Sequence, residues 1–255
     1  MGENDWIVRR KIASEPRLKL FCFPNAGGGP AVFRGWAEQL EPAGVEVCVV
    51  RLPGRDSRFR EEPLRSISEV VRLLSPLIIE ILDGQYALYG HSLGARIAFE
   101  TARELRRKGA AGPEHLLVSA IQAPQLPWNH TPMRHLEREA FLQELQKRYG
   151  KIPAPVLQDR DLLNLLLPGL RADVNMLETY SYSYEMPLDC PLTVYGGTFD
   201  YSVTQSSLQA WREQTTSEFR LHMVPGDHFC MAGVCARLVR DLESAREGST
   251  LRTCG

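Results

Sequence analysis

Six short apolar runs, most of them followed by a segment whose apolar residues recur every three or four positions, constrain this chain more than any other feature. The runs are 18–23, 45–50, 85–89, 116–121, 191–197 and 219–224. They are rich in β-branched and aromatic residues and bounded by Pro or Gly, which is strand chemistry. The segments 32–41, 67–82, 95–107, 204–215 and 231–246 have helical periodicity. In 67–82, for example, Val70, Val71, Leu74, Leu77, Ile78 and Ile81 share one face. Strands alternating with helices predict an α/β architecture: a mostly parallel sheet flanked by helices on both faces. The alternation stops between 124 and 187, where several prolines and helical stretches near 136–148, 160–167 and 171–182 appear without a strand. That segment falls between two sheet strands, so it is expected to be a helical lid insertion within one domain spanning 1–255. Residues 1–16 look like a polar lead-in.

Charge narrows the partners. Lys plus Arg total 30 against 31 Asp plus Glu, a formal net charge of −1. Neutralising a phosphate backbone needs a basic surplus, so nucleic acid is not expected. With 44% hydrophobic residues the chain is not a disordered one. Six cysteines are present (Cys22, Cys48, Cys190, Cys230, Cys235 and Cys254), with no C-x-x-C pair. No signal-type apolar segment opens the chain, and no apolar run reaches the ~18 residues of a membrane span. The expectation is a cytoplasmic protein with reduced thiols, no membrane anchor, no metal and a monomeric state.

Gly90-His91-Ser92-Leu93-Gly94 fits G-x-S-x-G. Alone it is a weak pattern. Here a strand runs into it and a helix follows, the strand–turn–helix of a nucleophile elbow. Ser92 is the candidate nucleophile; the plain alternative is a helix-capping serine in a glycine-rich turn. A serine hydroxyl needs a base, and the base an orienting acid, in the chain order Ser, Asp/Glu, His on this scaffold. Of the six histidines, His228 follows a late strand and is delivered to the edge where Ser92 lies. Asp200 follows the preceding strand and is the favoured acid. Asp189 comes before its strand, Asp227 adjoins the base, and Asp173 sits on an insertion helix. His228 and Asp200 each have a bland alternative as a helix-capping residue. For an oxyanion hole, the residue after the nucleophile is Leu93, and the loop after the first predicted strand offers Ala26. The same loop, Gly27-Gly28-Gly29-Pro30, lacks the spacing of a phosphate cradle.

With these residues in place, the chain resembles the type II thioesterases, stand-alone partners of polyketide and nonribosomal peptide synthases, and the related medium-chain fatty-acyl thioesterases. The resemblance is carried by FCFPNAGG at 21–28, RLPGR at 51–55, GHSLGA at 90–95, Phe99-Glu100, LPGLRAD at 167–173, Cys190-Pro191, Gly196-Gly197 with Asp200, and GDHF at 226–229. It implies an α/β-hydrolase fold and hydrolysis of acyl thioesters held on the phosphopantetheine arm of acyl or peptidyl carrier proteins. The implied role is removal of stalled or aberrant acyl groups. No cofactor is implied beyond the phosphopantetheine of the substrate. The family's Ser, Asp and His match Ser92, Asp200 and His228, and its oxyanion donors match Ala26 and Leu93. Departures occur at Asn25, often His in the family; Leu93, often Met; Asp227, commonly Gly; at Tyr149-Gly150-Lys151, where a Gly-Gly pair is usual; and at Arg96.

In the insertion, Leu163, Leu166, Leu167, Leu170, Met176, Leu177 and Tyr180 either line an acyl chamber or merely pack the lid helices down. Leu166, Leu170, Met176 and Tyr180 are the candidate substrate contacts. Arg103, Arg106, Arg107 and Lys108 form a basic cluster, expected to be a solvated face, with docking of an acidic carrier as the alternative. Two rival functions remain at this stage: a lipase, esterase or cyclising terminal thioesterase on the same fold, and a non-catalytic carrier-binding protein.

Overall fold

The structure is a computed structural model and describes residues 5–12, 14–150 and 154–250. Lys151 and Cys254, both singled out above, lie outside the described residues. The chain runs β1 (Ile7–Arg10), β2 (Leu18–Phe23), α1 (Trp36–Leu40), β3 (Val45–Val50), α2 (Ile67–Ile81), β4 (Tyr86–His91), α3 (Leu93–Arg107) and β5 (His115–Ser119). It continues with α4 (Arg138–Tyr149), α5 (Ala154–Gln158), α6 (Arg160–Glu178), β6 (Leu192–Gly197), α7 (Gln205–Gln209), β7 (Phe219–Val224) and α8 (Met231–Thr250).

The strands form one seven-stranded sheet in the order β1-β3-β2-β4-β5-β6-β7. Strand β1 is antiparallel to β3, and every other neighbouring pair is parallel. Period-2 alternation splits each central strand between two cores. In β2, Phe21 and Phe23 pack with Leu74 and Ile78 of α2 and Phe99 of α3. Leu20 and Cys22 face the other way, toward Trp36 of α1 and Leu238 of α8. The order of the strands reverses at β2, whose neighbours are β3 and β4. Such a switch point opens a crevice at the carboxyl ends of the strands. Register there is tight, with Phe23 opposite Gly90.

The helix expected at 204–215 is the short α7 followed by a 3-10 turn, Ala210–Gln214, and α5 was not expected; three further differences have a local cause. The lead-in holds an edge strand, β1, because Ile7 is buried against the sheet. The helix expected at 32–41 is broken into a 3-10 turn, Pro30–Phe33, and the short α1, since Gly35 between them takes a left-handed φ of 81°. The two lid helices expected at 160–167 and 171–182 are one helix, α6, which runs through Pro168 and ends at Glu178.

Candidate active site

Ser92 stands between the end of β4 and the start of α3, with φ 54° and ψ −117°. A non-glycine residue held there carries roughly 1–3 kcal/mol of strain, and the surroundings must impose it. They do so through the Ser92 N–H donating to Ser119 O at 2.8 Å and the Ala95 N–H donating to Ser92 O at 3.0 Å. The flanking glycines answer to backbone contact. A Cβ at Gly90 would lie 2.3 Å from Gly94 O, and one at Gly94 only 2.0 Å from Phe23 O. Removing both side chains lets the elbow close against the end of β2.

The loops after β6 and β7 bring the other two side chains to this edge. His228 Nε2 is 3.1 Å from Ser92 Oγ, and His228 Nδ1 is 2.9 Å from Asp200 Oδ2. A carboxylate only accepts, so Nδ1 carries the proton and Nε2 is free to accept from the serine hydroxyl. Ser92, Asp200 and His228 are all buried. Burial would raise the Asp200 carboxyl, but the hydrogen bond and charge of His228, with the bonds from Ser202, outweigh it and hold the group below its ordinary value. Ser202 was not anticipated. Its hydroxyl and N–H donate to Asp200 Oδ1 at 2.6 and 2.9 Å, and its Oγ lies 3.1 Å from His228 Nδ1. An Asp-x-Ser spacing is the signal that points to such a turn. The rejected carboxylates lie elsewhere: Asp189 is exposed, and Asp227 accepts from the Phe229 N–H.

His91, inside the elbow, does not reach Ser92. Its Nδ1 meets Ser119 Oγ at 2.6 Å and its ring centroid is 5.5 Å from that of His228. Burial, and next the charge of His228, pulls its pKa down to about 3, so it stays neutral. The N–H groups of Ala26 and Leu93 have no acceptor among the described residues. Leu93 opens a helix, where first-turn N–H groups lack partners in any case.

Ser92, Ala26 and His228 share the wall of a cavity of about 460 Å³ with Leu163, Leu166, Leu167, Leu170 and Leu177. Leu166 and Leu170 thus lie where a lid residue touching an acyl chain would lie. Met176 and Tyr180 do not line this cavity. Met176 is buried in the core between the lid and the sheet. Tyr180 gives its hydroxyl to Glu100 at 2.6 Å and its ring to the Arg96 guanidinium at 4.6 Å. Met176 is on the last turn of α6 and Tyr180 just past its end, where it packs on α3, so both are spent on packing. Tyr149 does line the chamber, with its ring centroid 4.8 Å from that of His228, and burial raises its phenol to about 12.

The basic cluster on α3 is solvated at its outer end, where Arg107 and Lys108 are exposed, while Arg103 is buried, and its charges are paired with carboxylates of this chain. Arg103 binds Glu100 and Glu185 at 2.9 and 2.7 Å. Arg106 donates to the carbonyls of Pro187 and Met186. Arg107 pairs with Glu104 and Glu185. These guanidinium groups strap the segment 183–187 to α3. Among the described residues no group of three or more His, Cys, Asp or Glu is placed to hold a metal, and no helix is long and apolar enough to cross a membrane.

Comparison with known proteins identifies the family. The thioesterase domain family matches residues 18–245. The gramicidin S biosynthesis protein GrsT of Aneurinibacillus migulanus is 43% identical over 226 residues, covering 89% of this chain and 88% of the relative. Among solved structures, the RedJ thioesterase of the prodiginine biosynthetic pathway in Streptomyces coelicolor superposes with a TM-score of 0.82 at 36% identity, covering 90% of this chain and 86% of that one. The type II thioesterase BorB of the borrelidin biosynthetic cluster gives 0.83 at 31% identity, with 96% and 97% covered. The fold and site define an α/β-hydrolase. The chain belongs to the thioesterase family and is a thioester hydrolase.

Proposed function

We propose that this protein is an editing thioesterase that frees acyl groups from the phosphopantetheine arm of carrier proteins in polyketide or nonribosomal peptide assembly, with Ser92 as nucleophile, His228 as base and Asp200 as the orienting acid. The observation that carries this proposal is the hydrogen-bonded run Ser92–His228–Asp200 at the wall of an apolar chamber. His228 Nε2 takes the Ser92 proton as Oγ attacks the thioester carbonyl carbon. The carbonyl oxygen becomes an oxyanion, received by the N–H groups of Ala26 and Leu93. The C–S bond then breaks, and the departing sulfur takes the proton from His228. Thiolates leave readily, so little acid assistance is needed. Water gives a proton to His228, its oxygen attacks the acyl-serine, and the acid is released as Ser92 regains its proton. The leucines from α6 supply an apolar wall for the acyl chain, while the phosphopantetheine belongs to the substrate and no bound cofactor takes part.

Intact-mass analysis of a panel of acyl-loaded carriers, before and after incubation, tests this. The wild-type protein is expected to return the free phosphopantetheinyl carrier. Ser92→Ala is expected to lose roughly 10⁴-fold or more in rate, the scale for removing a triad nucleophile. Preference for oxygen esters, or a cyclic product lacking added water, would defeat the substrate assignment. Near-normal turnover by the Ser92 variant would defeat the mechanism.

A further inference from the structure

Resting on that assignment of Ala26 as an oxyanion donor, we infer that Asp173 of the lid helix α6 is a positioning residue. Acting with Arg55, it holds the oxyanion loop in its reactive shape, so that the lid must be seated on the loop for hydrolysis to proceed. The loop is a tight turn: the Gly28 N–H donates to Asn25 O at 2.9 Å, and Gly27, the third residue, has φ 71°. In such a turn the N–H groups of the two central residues, here Ala26 and Gly27, are left over. The lid takes one of them. Asp173, with no exposed surface, accepts from the Gly27 N–H at 2.7 Å. With that bond made, the peptide between Ala26 and Gly27 cannot rotate freely, and the Ala26 N–H is the one left for substrate.

Arg55 completes the clamp. It donates to both carboxylate oxygens of Asp173, at 2.8 and 2.7 Å, and to Gly28 O at 3.1 Å. Its charge has a second effect. A lone carboxylate beside the oxyanion hole would repel the developing negative charge, and the guanidinium neutralises it. A buried ion pair of this kind is weak evidence for stability, because desolvation offsets most of its attraction. Its value here is geometric: it joins the loop after β2, the loop after β3 and the lid at one point. Leu170, one turn before Asp173 on α6, closes over the same glycine, where a Cβ at Gly27 would meet it at 3.2 Å.

Asp173→Asn tests the clamp, with hydrolysis of an octanoyl thioester, the affinity of octylboronic acid and the affinity of octanoate read together. The boronic acid forms a tetrahedral adduct with a nucleophilic serine and so reports the oxyanion hole, whereas octanoate reports the chamber. The expected result is a kcat about 10- to 100-fold lower, short of the loss from deleting an oxyanion donor outright, with KM changed by less than about threefold. Boronate affinity should fall by the same factor as kcat and octanoate affinity should hold. A purely structural role would lower the active fraction and leave boronate affinity intact. Arg55→Lys, which keeps the charge and gives up the paired geometry, should show the same pattern more weakly. A folded Asp173→Asn with kcat within about threefold of wild type, or a fall in kcat without a fall in boronate affinity, overturns the inference. So does failure of both variants to fold, which would make the pair a folding requirement. Wild-type turnover alongside inactive Ser92→Ala keeps the functional assignment separate from either result.

Discussion

Gly94→Ala is the smallest change that should disable the site without touching a reacting group. The new Cβ would sit 2.0 Å from Phe23 O and 2.4 Å from Phe23 C, both backbone atoms at the end of β2, where contacts under 3.0 Å essentially never occur. Backbone cannot swing aside as a side chain can, so α3 and the end of β2 must separate by about 1 Å. Leu93, the residue before Gly94, and Ala26, three residues past Phe23, are carried on the two parts that move. The gap between the two proposed oxyanion donors therefore widens by a similar amount. A misplacement of about 1 Å costs on the order of 10²-fold in rate, and loss of one donor about 10²–10³-fold. Overpacking of the contact adds roughly 1–3 kcal/mol of destabilisation. Steady-state hydrolysis of an acyl thioester, with a thermal melt on the same sample, reads both effects. Gly84→Ala is the control, because nothing lies within 4 Å of its Cβ position. If Gly94→Ala retained kcat within about threefold of wild type and an unchanged melting point, the close approach would not be what holds the donors in register.

Other perturbations separate the remaining parts. Asp200→Asn should leave the fold intact and lower kcat by about 10⁴-fold, since an amide can hold the ring in the wrong tautomer; pre-steady-state acylation measures it, and a loss under tenfold would speak against Asp200 as the orienting group. Burial lowers His91 to about 3 and His115 to about 4 from 6.5, so the fold keeps both neutral while the unfolded chain takes up protons. Their contribution is therefore full above pH 6.5 and is lost as pH falls toward those values, at about 1.4 kcal/mol per pH unit for each histidine. Urea titrations of His115→Gln should show that much less dependence of stability on pH between 6 and 5; an unchanged slope refutes it. Tyr149 lines both the cavity beside Ser92 and a small neighbouring space lined by Ser92, Trp128 and His130. Tyr149→Ala should join them and shift chain preference toward bulkier acyl groups in a competition assay, while Tyr149→Phe should not.

The sequence carried the scaffold because strands and elbows are written in local terms. The alternation of apolar runs and the glycines at 90 and 94 fix where the backbone turns, and turns at strand ends determine where Ser92, Asp200 and His228 arrive. The lid was less legible. Its helices show an apolar face at 163, 166, 167, 170, 176, 177 and 180, but periodicity does not say which residues of that face meet the chamber and which meet the core. Leu166 and Leu170 fell to the first, and Met176 and Tyr180 to the second. Asp173 lies on an insertion helix, which sets it apart from the loops that deliver the acid and base. Its contact with Gly27, 146 positions away, has no local signature at all. Ser202 is legible only through the Asp-x-Ser spacing at 200–202, and that spacing alone does not say that the turn closes with the hydroxyl and N–H on the carboxylate.

The arginines of α3 show the same limit for charge. As a string, Arg103, Arg106, Arg107 and Lys108 form a patch fit for an acidic partner, yet partner recognition depends on charge that is unspent. Glu185 alone contacts Arg103, Arg106 and Arg107, and Glu104 holds Arg107 and Lys108. An acidic carrier approaching this face would have to displace carboxylates already paired, exchanging one set of ion pairs for another at little gain. The arrangement has a use closer to home. The segment 183–187 returns the chain from the end of α6 to β6, and fastening it to α3 fixes one foot of the lid to the helix that begins at Leu93. The Asp173–Arg55 pair fixes the other side of α6 to the loop that holds Ala26. On the proposed assignment the lid is thereby tied to both oxyanion donors, through α3 at Leu93 and through the turn at Ala26, so the chamber wall and the groups proposed to stabilise the transition state share one connected set of contacts.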